Sequence, residues 1–312
     1  MLTLHHPTYR EDDGWPISEA AFTHDGEERT LWFAVPAADG ASLCHERADA
    51  FLIVLLLYGM WHGQDIHIEA PVSDRLLYTL PTYLLPALHR MCPETLQAIR
   101  LTCDQPAPDP LPTAGAVGTG LSCGIDSFFT IAQHTAETCP SPYRVNHLAY
   151  FNVGAHTNAD RTSTALFQQR AGRIQAFARE YGFPLVVLDS NVDDVLSMYA
   201  FTQTHSFRNT AAAMALQKLF RVYYYSTSAT VYQFGFHLDH PSWYEPYSLA
   251  ALGSNTLSFF PSGTTHSRVE KTAAVADYAP SYRYLNVCVT EAENCSTCHK
   301  CLRTMMTLDI LG

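Results

Sequence analysis

The sequence predicts an α/β protein whose parallel sheet is covered by helices on both faces. A small N-terminal α/β unit and a C-terminal zinc-binding segment are expected to accompany it. Three observations support this fold class: strand-like and helix-like runs alternate after residue 114, a proline-rich segment precedes them, and cysteines cluster near the C-terminus. Alternating strands and helices are typical of parallel sheets, because each crossover between parallel strands needs a long connection.

The N-terminal residues 1–105 predict the small α/β unit. Its pattern indicates a strand at Thr30–Val35, a helix at His45–His62, a second strand at Asp65–Glu69, and a second helix that begins after Ser73 and continues to about Met91. Three roles are open for this unit: it can dock on the following domain, help to shape a substrate pocket, or join two copies of the chain.

A proline-rich linker divides the chain. Four prolines occur in the nine residues Asp104–Pro112, which excludes a regular helix and a central strand. We therefore predict a linker at 106–113 and two domains, 1–105 and 114–312.

The second domain alternates strands with helices. We predict, in order, strand Ala114–Leu121, helix Asp126–Glu137, strand His147–Asn152, helix Ala165–Tyr181, strand Leu185–Asp189, helix Asn209–Tyr224 and strand Val231–Phe236. Ligands of such sheets bind beyond the carboxyl ends of the strands. The segments that follow the predicted strands should therefore surround one crevice.

Composition restricts the function classes. The formal net charge is −11, so we expect no broad electrostatic binding of nucleic acid, which needs clustered Lys and Arg. The longest apolar run, Ala50–Met60, is shorter than the roughly 20 residues that span a bilayer, and we expect it to form a buried helix. No N-terminal segment has the pattern of a signal peptide. We therefore expect a cytoplasmic protein without a membrane partner.

The turn after the first strand of the second domain has the composition of a phosphate-binding loop. Small residues that open a helix direct several backbone N–H groups to one point, where the helix dipole adds partial positive charge. The residues expected to bind phosphate are Ser122, Cys123, Gly124, Ile125, Asp126 and Ser127. A Walker A loop fits worse because no Lys is present, and the glycine spacing differs from a Rossmann fingerprint.

Four cysteines near the C-terminus have the spacing of a zinc site. Cys295, Cys298 and Cys301 form a C-x2-C-x2-C run, and Cys288 lies seven residues upstream. Four thiolates can close tetrahedrally on Zn²⁺, which leaves no open position and predicts a structural metal. His299 is a spare ligand candidate. The alternative is redox or disulfide chemistry, which a reduced compartment disfavours.

The loop and the cysteines together resemble the PP-loop ATP pyrophosphatases. Their loop has the pattern Ser-Gly-Gly-x-Asp-Ser, from which this chain departs only where Cys123 replaces the first Gly. The loop, the four-Cys cluster and the order of elements resemble the 7-cyano-7-deazaguanine synthase family over roughly residues 114–312. The resemblance implies a Rossmann-like fold of the adenine nucleotide alpha hydrolase type. Because it does not extend to the N-terminal unit, the chain is expected to be an enlarged, divergent relative.

The resemblance implies ATP and Mg²⁺ as cofactors, with Asp126 and Ser127 in catalytic roles. Asp126 at the helix start can hold Mg²⁺ through water or cap the helix. The end of the second strand of the domain, at Phe151, Asn152 and Val153, is implied to hold adenine mainly through backbone groups.

Because the loop has no Lys, positive charge for the phosphates should come from elsewhere. One candidate is Arg208, which lies at a predicted helix start. The others are Arg268 and Lys271, to which we assign catalytic roles. Arg and Lys both suit phosphate oxygens, although a solvated helix face is the alternative. Arg161 is a weaker candidate.

A polar and aromatic segment, Phe236–Glu245, follows the last predicted strand. This mixture suits a planar or aromatic acid, and it also suits a lid or an ordered surface loop. His237, Asp239 and His240 are weak metal-ligand candidates.

The function expected from the resemblance is adenylation of a substrate oxygen. A carboxylate, such as a heteroaromatic acid, would react with ATP to release pyrophosphate, and ammonia or an amine would then displace AMP. Two alternatives are sulfur transfer on the same scaffold, with Cys123 as a potential nucleophile, and a non-catalytic ATP-binding scaffold. An ammonia or sulfur donor and a second copy of the chain are candidate partners.

Overall fold

The computed structural model describes residues 1–155 and 164–312. The weaker candidate Arg161 lies outside the described residues. Eleven strands form one sheet in the described part of the chain. The protein is therefore α/β with a large and mostly parallel sheet, as the sequence predicts. No helix within the described ranges is both long enough and apolar enough to cross a membrane.

The N-terminal half contributes six strands and three helices. Its strands are β1 (Leu2–Leu4), β2 (Thr8–Asp12), β3 (Trp15–His24), β4 (Glu27–Ala34), β5 (Ile66–Ser73) and β6 (Leu101–Ala107), and its helices are α1 (Asp49–His62), α2 (Asp74–Thr79) and α3 (Leu85–Met91). The helix predicted after Ser73 is interrupted by a π-helical turn at Leu80–Leu84. Pro81 lies in that turn and cannot donate a backbone hydrogen bond.

The C-terminal half contributes five strands and seven helices. The strands are β7 (Ala116–Gly120), β8 (His147–Asn152), β9 (Leu185–Ser190), β10 (Phe220–Ser226) and β11 (Ser258–Ser262), and the helices are α4 (Ile125–Thr135), α5 (Thr164–Glu180), α6 (Val192–Val195), α7 (Phe201–Ala215), α8 (Glu245–Ala251), α9 (Arg268–Ala276) and α10 (His299–Leu311). The predicted strands at the positions of β7, β8 and β9 and the helices at α4 and α5 are confirmed.

The two halves share one sheet. Its strand order is β11-β10-β7-β8-β9-β4-β3-β1-β5-β6, and β2 pairs with β3. The strands from β11 to β9 are parallel. The antiparallel pair of β4 and β9, with Phe33 opposite Ser190, joins the halves. The proline-rich segment near residue 110 thus lies between two halves of a single sheet, and its first residues belong to the edge strand β6.

Helices cover both faces of the parallel half. Adjacent residues of a strand point to opposite faces, and Val117 and Ala116 of β7 belong to different apolar cores. The core on one face includes Phe207 of α7 and continues into α1 of the N-terminal half. The core on the other face includes Phe128 of α4 and Phe177 of α5.

The predicted helix Asn209–Tyr224 is wrong beyond Ala215, and its start is misplaced. Helix α7 ends at Ala215, and Phe220–Tyr224 belongs to β10. Strand β10 lies between β7 and β11 and is largely buried, which favours its aromatic and β-branched residues. Only four residues separate the helix from the strand, so their apolar patterns merge in the sequence. The predicted strand Val231–Phe236 is also wrong, because this segment contains a short 3₁₀ turn.

Candidate active site

A large cavity lies where the strand order reverses direction. From β7 the chain proceeds to β8 and β9 on one side and then to β10 and β11 on the other. In open parallel sheets this switch point leaves a crevice outside the carboxyl ends of the strands. Here the crevice is a cavity of ≈ 1270 Å³, and the turn after β7 and the segment after β10 both line it.

The turn after β7 presents the start of a helix to the cavity. Gly124 precedes α4, and the first N–H groups of the helix, at Ile125, Asp126 and Ser127, have no acceptor within the helix. The hydroxyl of Ser127 donates to the Gly124 carbonyl at 3.0 Å. The hydroxyl of Ser122 accepts from the Gly124 N–H at 3.3 Å. The two serines therefore brace the turn that exposes these donors.

Cys123 occupies a backbone position that favours glycine. Its φ is 60°, in the left-handed region. Its carbonyl accepts the N–H of Asn286 at 2.8 Å, which ties the turn to the chain before the cysteine cluster. The side chain is only 1% exposed, and burial raises the pKa of the thiol to about 12. A neutral, buried thiol is a poor nucleophile, so this geometry indicates a structural role.

Asp126 is held between two cations. Its carboxylate lies 2.7 Å from Arg268 Nη2 and 3.3 Å from Lys271 Nζ. Lys271 is buried and donates to the Thr227 carbonyl at 2.7 Å, and burial lowers its pKa. The structure therefore brings Arg268 and Lys271 to the loop, where both pair with Asp126. Arg268 lines the cavity, whereas Lys271 lies behind Asp126 and does not line it.

Three further cations line the cavity and were missed in the sequence. They are Arg170 of α5 and Lys300 and Arg303 of α10. Lys300 is exposed in the cavity wall, and partial desolvation together with the nearby Arg268 lowers its pKa. Lys300 and Arg303 form no ion pair within the described ranges. Their spacing of three residues places them on one helix face, which was a signal in the sequence.

Arg208 does not line the cavity. It lies within α7 rather than at a helix start, and its side chain is fully buried. Its guanidinium forms an ion pair with Asp193 and donates to the carbonyls of Val153, Leu196 and Tyr199. These contacts clamp the turn after β8 to α6. The expected phosphate contact at Arg208 depended on the wrong helix boundary.

The end of β8 is only partly directed at the cavity. Phe151 lines it, together with Tyr150. The Asn152 side chain instead donates to Asp189 at 2.8 Å, and its carbonyl accepts from the Ser190 hydroxyl at 2.9 Å. The Val153 carbonyl is used by Arg208. Of the three residues expected at adenine, the structure places Phe151 alone on the cavity wall.

The polar and aromatic segment after β10 forms another part of the cavity wall. Its residues 239–243 line the cavity, and the rings of His240 and Trp243 stack with centroids 4.5 Å apart. A metal site at His237, Asp239 and His240 does not assemble among the described residues, where the four C-terminal cysteines are the one group able to hold a metal. The wall is therefore suited to stacking on a planar group.

The four cysteines converge as the sequence predicts. Their sulfur atoms all lie within 4.8 Å of one another, and those of Cys295 and Cys301 are 4.0 Å apart. Tetrahedral Zn–S bonds of about 2.3 Å place sulfurs about 3.8 Å apart, so the cluster fits zinc. The N–H of Cys298 donates to the Cys295 sulfur at 3.2 Å. The Thr297 hydroxyl and nearby N–H groups lower the pKa of Cys295 to about 5, which suits a thiolate ligand.

The cysteine cluster also builds the cavity. Cys298 is the N-cap of α10, Cys301 lies within its first turn, and Cys288 lines the cavity wall. Because Lys300 and Arg303 belong to this same helix, a metal bound by the cysteines would fix the position of both cations.

Comparisons of the chain with protein-family models, curated proteins and solved structures found no match. The chemistry of the cavity therefore has to be inferred from its own residues. Those residues combine an exposed helix start, an excess of cations and an aromatic wall.

Proposed function

We propose that the chain is an ATP-dependent adenylating enzyme of the PP-loop type, which forms AMP and pyrophosphate while it activates a carboxylate for attack by ammonia or an amine. The observation that carries this proposal is the position of Asp126, Arg268 and the start of α4 at the switch point of the parallel sheet. A 7-cyano-7-deazaguanine synthase-like reaction fits this proposal best.

The cavity has the charge that a triphosphate needs. The chain carries a net charge of −11, yet Arg170, Arg268, Lys300 and Arg303 line the cavity, where Asp126 and Asp239 are the acidic residues. We place the phosphates at the free N–H groups at the start of α4, between these cations. Asp126 would hold Mg²⁺ through water, and the ion would neutralise phosphate charge when bound.

The cavity has room for two substrates. Pockets for one drug-sized ligand occupy about 300–1,000 Å³, whereas this cavity measures ≈ 1270 Å³. We place the carboxylate substrate against His240 and Trp243, whose stacked rings favour a planar heteroaromatic acid. Adenylation then forms a bond from a carboxylate oxygen to the α-phosphorus and breaks the bond to pyrophosphate, which leaves with the electron pair.

In this proposal zinc has a structural role. Four thiolates leave no open coordination position for a substrate. The metal would stabilise the start of α10 and so keep Lys300 and Arg303 in the cavity wall.

Sulfur transfer is less well supported. It needs a reactive sulfur near the nucleotide, but the Cys123 thiol is buried and neutral. A non-catalytic scaffold would bind ATP without producing AMP, so product analysis separates it from the enzyme.

The experiment is an analysis of nucleotide products. The protein is incubated with Mg-ATP, ammonium and a panel of heteroaromatic and amino carboxylates that includes 7-carboxy-7-deazaguanine. We expect AMP and pyrophosphate that depend on one acid of the panel. ATP binding without AMP would favour the scaffold, and ADP with phosphate would contradict the proposal.

A further inference from the structure

A histidine to which the sequence analysis gave no chemical role of its own lines the same cavity as the turn after β7. His205 belongs to α7 and lines the cavity. Its Nδ1 lies 2.6 Å from the Tyr225 hydroxyl and 3.8 Å from Glu245 Oε1. Its Nε2 lies 3.4 Å from the hydroxyl of Ser242, which also lines the cavity. Nδ1 thus contacts the Tyr225 hydroxyl, and Nε2 lies beside Ser242 of the cavity wall.

The buried side of His205 is built around a carboxyl group. Glu245 is fully buried, and burial raises its pKa to about 7. The Ser206 hydroxyl donates to its Oε1 at 2.9 Å. Its Oε2 has no hydrogen-bond donor in the described part of the chain, although Thr227 lies near enough to favour the charged form. A carboxylate in this position can stabilise a positive charge on the ring.

The resting ring is neutral at physiological pH. Burial and the nearby Lys300 lower the pKa of His205 to about 4. When Nδ1 carries the hydrogen and donates to the Tyr225 oxygen, the Nε2 lone pair remains on the cavity side. A bound phosphate that pairs with Lys300 would remove one cause of the lowered pKa and make the ring a stronger base.

We propose that His205 is the general base of the second half-reaction, in which ammonia or a primary amine attacks the acyl adenylate. The nitrogen forms a bond with the acyl carbon, the bond from that carbon to the AMP oxygen breaks, and AMP leaves with the electron pair. The proton released by the nitrogen passes to His205 Nε2. Tyr225 is a positioning residue, because its hydroxyl holds the ring at Nδ1, and Glu245, whose Oε1 lies 3.8 Å from Nδ1, stabilises the positive charge that the ring gains. This inference rests on the proposed function and adds the residue that serves the nucleophile.

The test separates the two half-reactions in His205→Gln, which keeps a polar side chain but cannot take up the proton. Acid-dependent exchange of pyrophosphate into ATP reports adenylation, and amide formation from 7-carboxy-7-deazaguanine and ammonium chloride reports the second step. We expect exchange to stay within about threefold of wild type and amide formation to fall about 10²- to 10³-fold. His67→Gln, at a partly exposed histidine of β5, is the matched control and should leave both rates unchanged.

Two further measurements distinguish proton transfer from a merely structural role. Imidazole should restore amide formation at least tenfold in His205→Ala but not in His67→Ala. The rate of amide formation is divided by the concentration of neutral NH₃ at each pH. This normalised wild-type rate should rise with pH through about 7 as Glu245 ionises, and Glu245→Gln should remove the rise. Charged neighbours also influence these two groups. Lys300 lowers the pKa of His205. Asp126 raises the pKa of Glu245, and Lys271 lowers it.

The outcomes assign a failure to one proposal or the other. Equal losses of exchange and amide formation in His205→Gln, or no loss of amide formation, would overturn the base role and leave adenylation intact. Wild-type protein without acid-dependent exchange would overturn the proposed function and the base role with it.

Discussion

The two halves of the sheet differ in where their strands end. All five strands of the C-terminal half are parallel, so their carboxyl ends meet at one edge. In the N-terminal half β3 is antiparallel to β1, β2 and β4, so strand ends are divided between two edges. The ≈ 1270 Å³ cavity lies at the carboxyl edge of the parallel half. Parallel strands thus gather polar loops from distant parts of the chain, and mixed strands do not.

The N-terminal half instead contributes mainly buried apolar side chains to the core. Residues 49–60 of α1 are all buried, and their side chains continue the core of α7. The buried Asp49 accepts hydrogen bonds from Ser73 and from Gln217 of the other half. This half therefore extends and stabilises the sheet on which the cavity is built.

The largest expected effect concerns the cysteine cluster. Cys295→Ser should lose bound zinc and destabilise the fold by on the order of several kcal/mol, because structural zinc contributes its binding free energy to folding. Cys103→Ser, in β6 of the N-terminal half, should retain zinc and stability. Metal content and urea unfolding measure both properties. Full stability after chelation would contradict the zinc assignment.

The next effect concerns the loop carboxylate. Asp126→Ala should lower acid-dependent AMP formation at least about 10²-fold, because it removes a preorganised charge and leaves the buried Lys271 unpaired. Asp104→Ala, which removes an exposed carboxylate of β6 that pairs with His67, should leave the rate unchanged. Steady-state AMP release measures the rate. Equal rates in the two variants would contradict the claim that the chemistry takes place in the parallel half and not in the N-terminal half.

A smaller effect is expected in the pH dependence of stability. The pKa of Glu245 is raised from 4.5 to about 7 by burial, so the folded protein holds a proton that the unfolded chain has released between these values. Glu245 should therefore contribute about 3 kcal/mol of stability at low pH that is lost as pH rises through this window. The lowered pKa of His205 contributes in the opposite direction, so the Glu245 contribution is the difference between wild type and a variant without this carboxyl group.

Stability is measured by urea unfolding at pH 5 and pH 8 in wild type and in each variant. On going from pH 5 to pH 8, Glu245→Gln should lose less stability, or gain more, than wild type, and the exposed Glu137→Gln should change as wild type does. The same change in Glu245→Gln as in wild type would show that Glu245 does not contribute to the pH dependence.

The smallest effect is expected at Cys123. Cys123→Gly relieves a left-handed backbone but loses a buried side chain, and each contribution is about 1 kcal/mol. Stability should change by less than about 1 kcal/mol, and turnover should be preserved. Cys44→Gly, at a buried cysteine without a positive φ, should cost about 1–2 kcal/mol. Loss of turnover in Cys123→Gly would instead assign the thiol a chemical role.

Local sequence predicted the features that depend on short spacing. The cysteine run, the small-residue loop and the cations of 267–271 were identified because each forms within one turn or one helix start. The boundary between helix α7 and strand β10 was misplaced in the prediction. The small residues at the end of α7 are followed after a short connection by the aromatic residues of β10, so the two apolar runs read as one helix. Arg208 was misassigned with them.

Features that depend on long-range pairing could not be predicted. The pairing of β4 with β9 joins residues far apart in sequence, and neither strand carries a pattern that specifies its neighbour. His205, Tyr225 and Glu245 lie on three separate elements, so only the fold brings them together. Lys300 and Arg303 were overlooked beside the cysteines, although their spacing was visible.

The most direct test of the central claim follows an oxygen atom. The carboxylate that gives the most AMP is labelled with ¹⁸O and incubated with Mg-ATP, ammonium and the protein, and the phosphorus products are examined by ³¹P NMR. Adenylation in the cavity of the parallel half predicts that one labelled oxygen appears in AMP. Label in inorganic phosphate, with ADP as the nucleotide product, would contradict it.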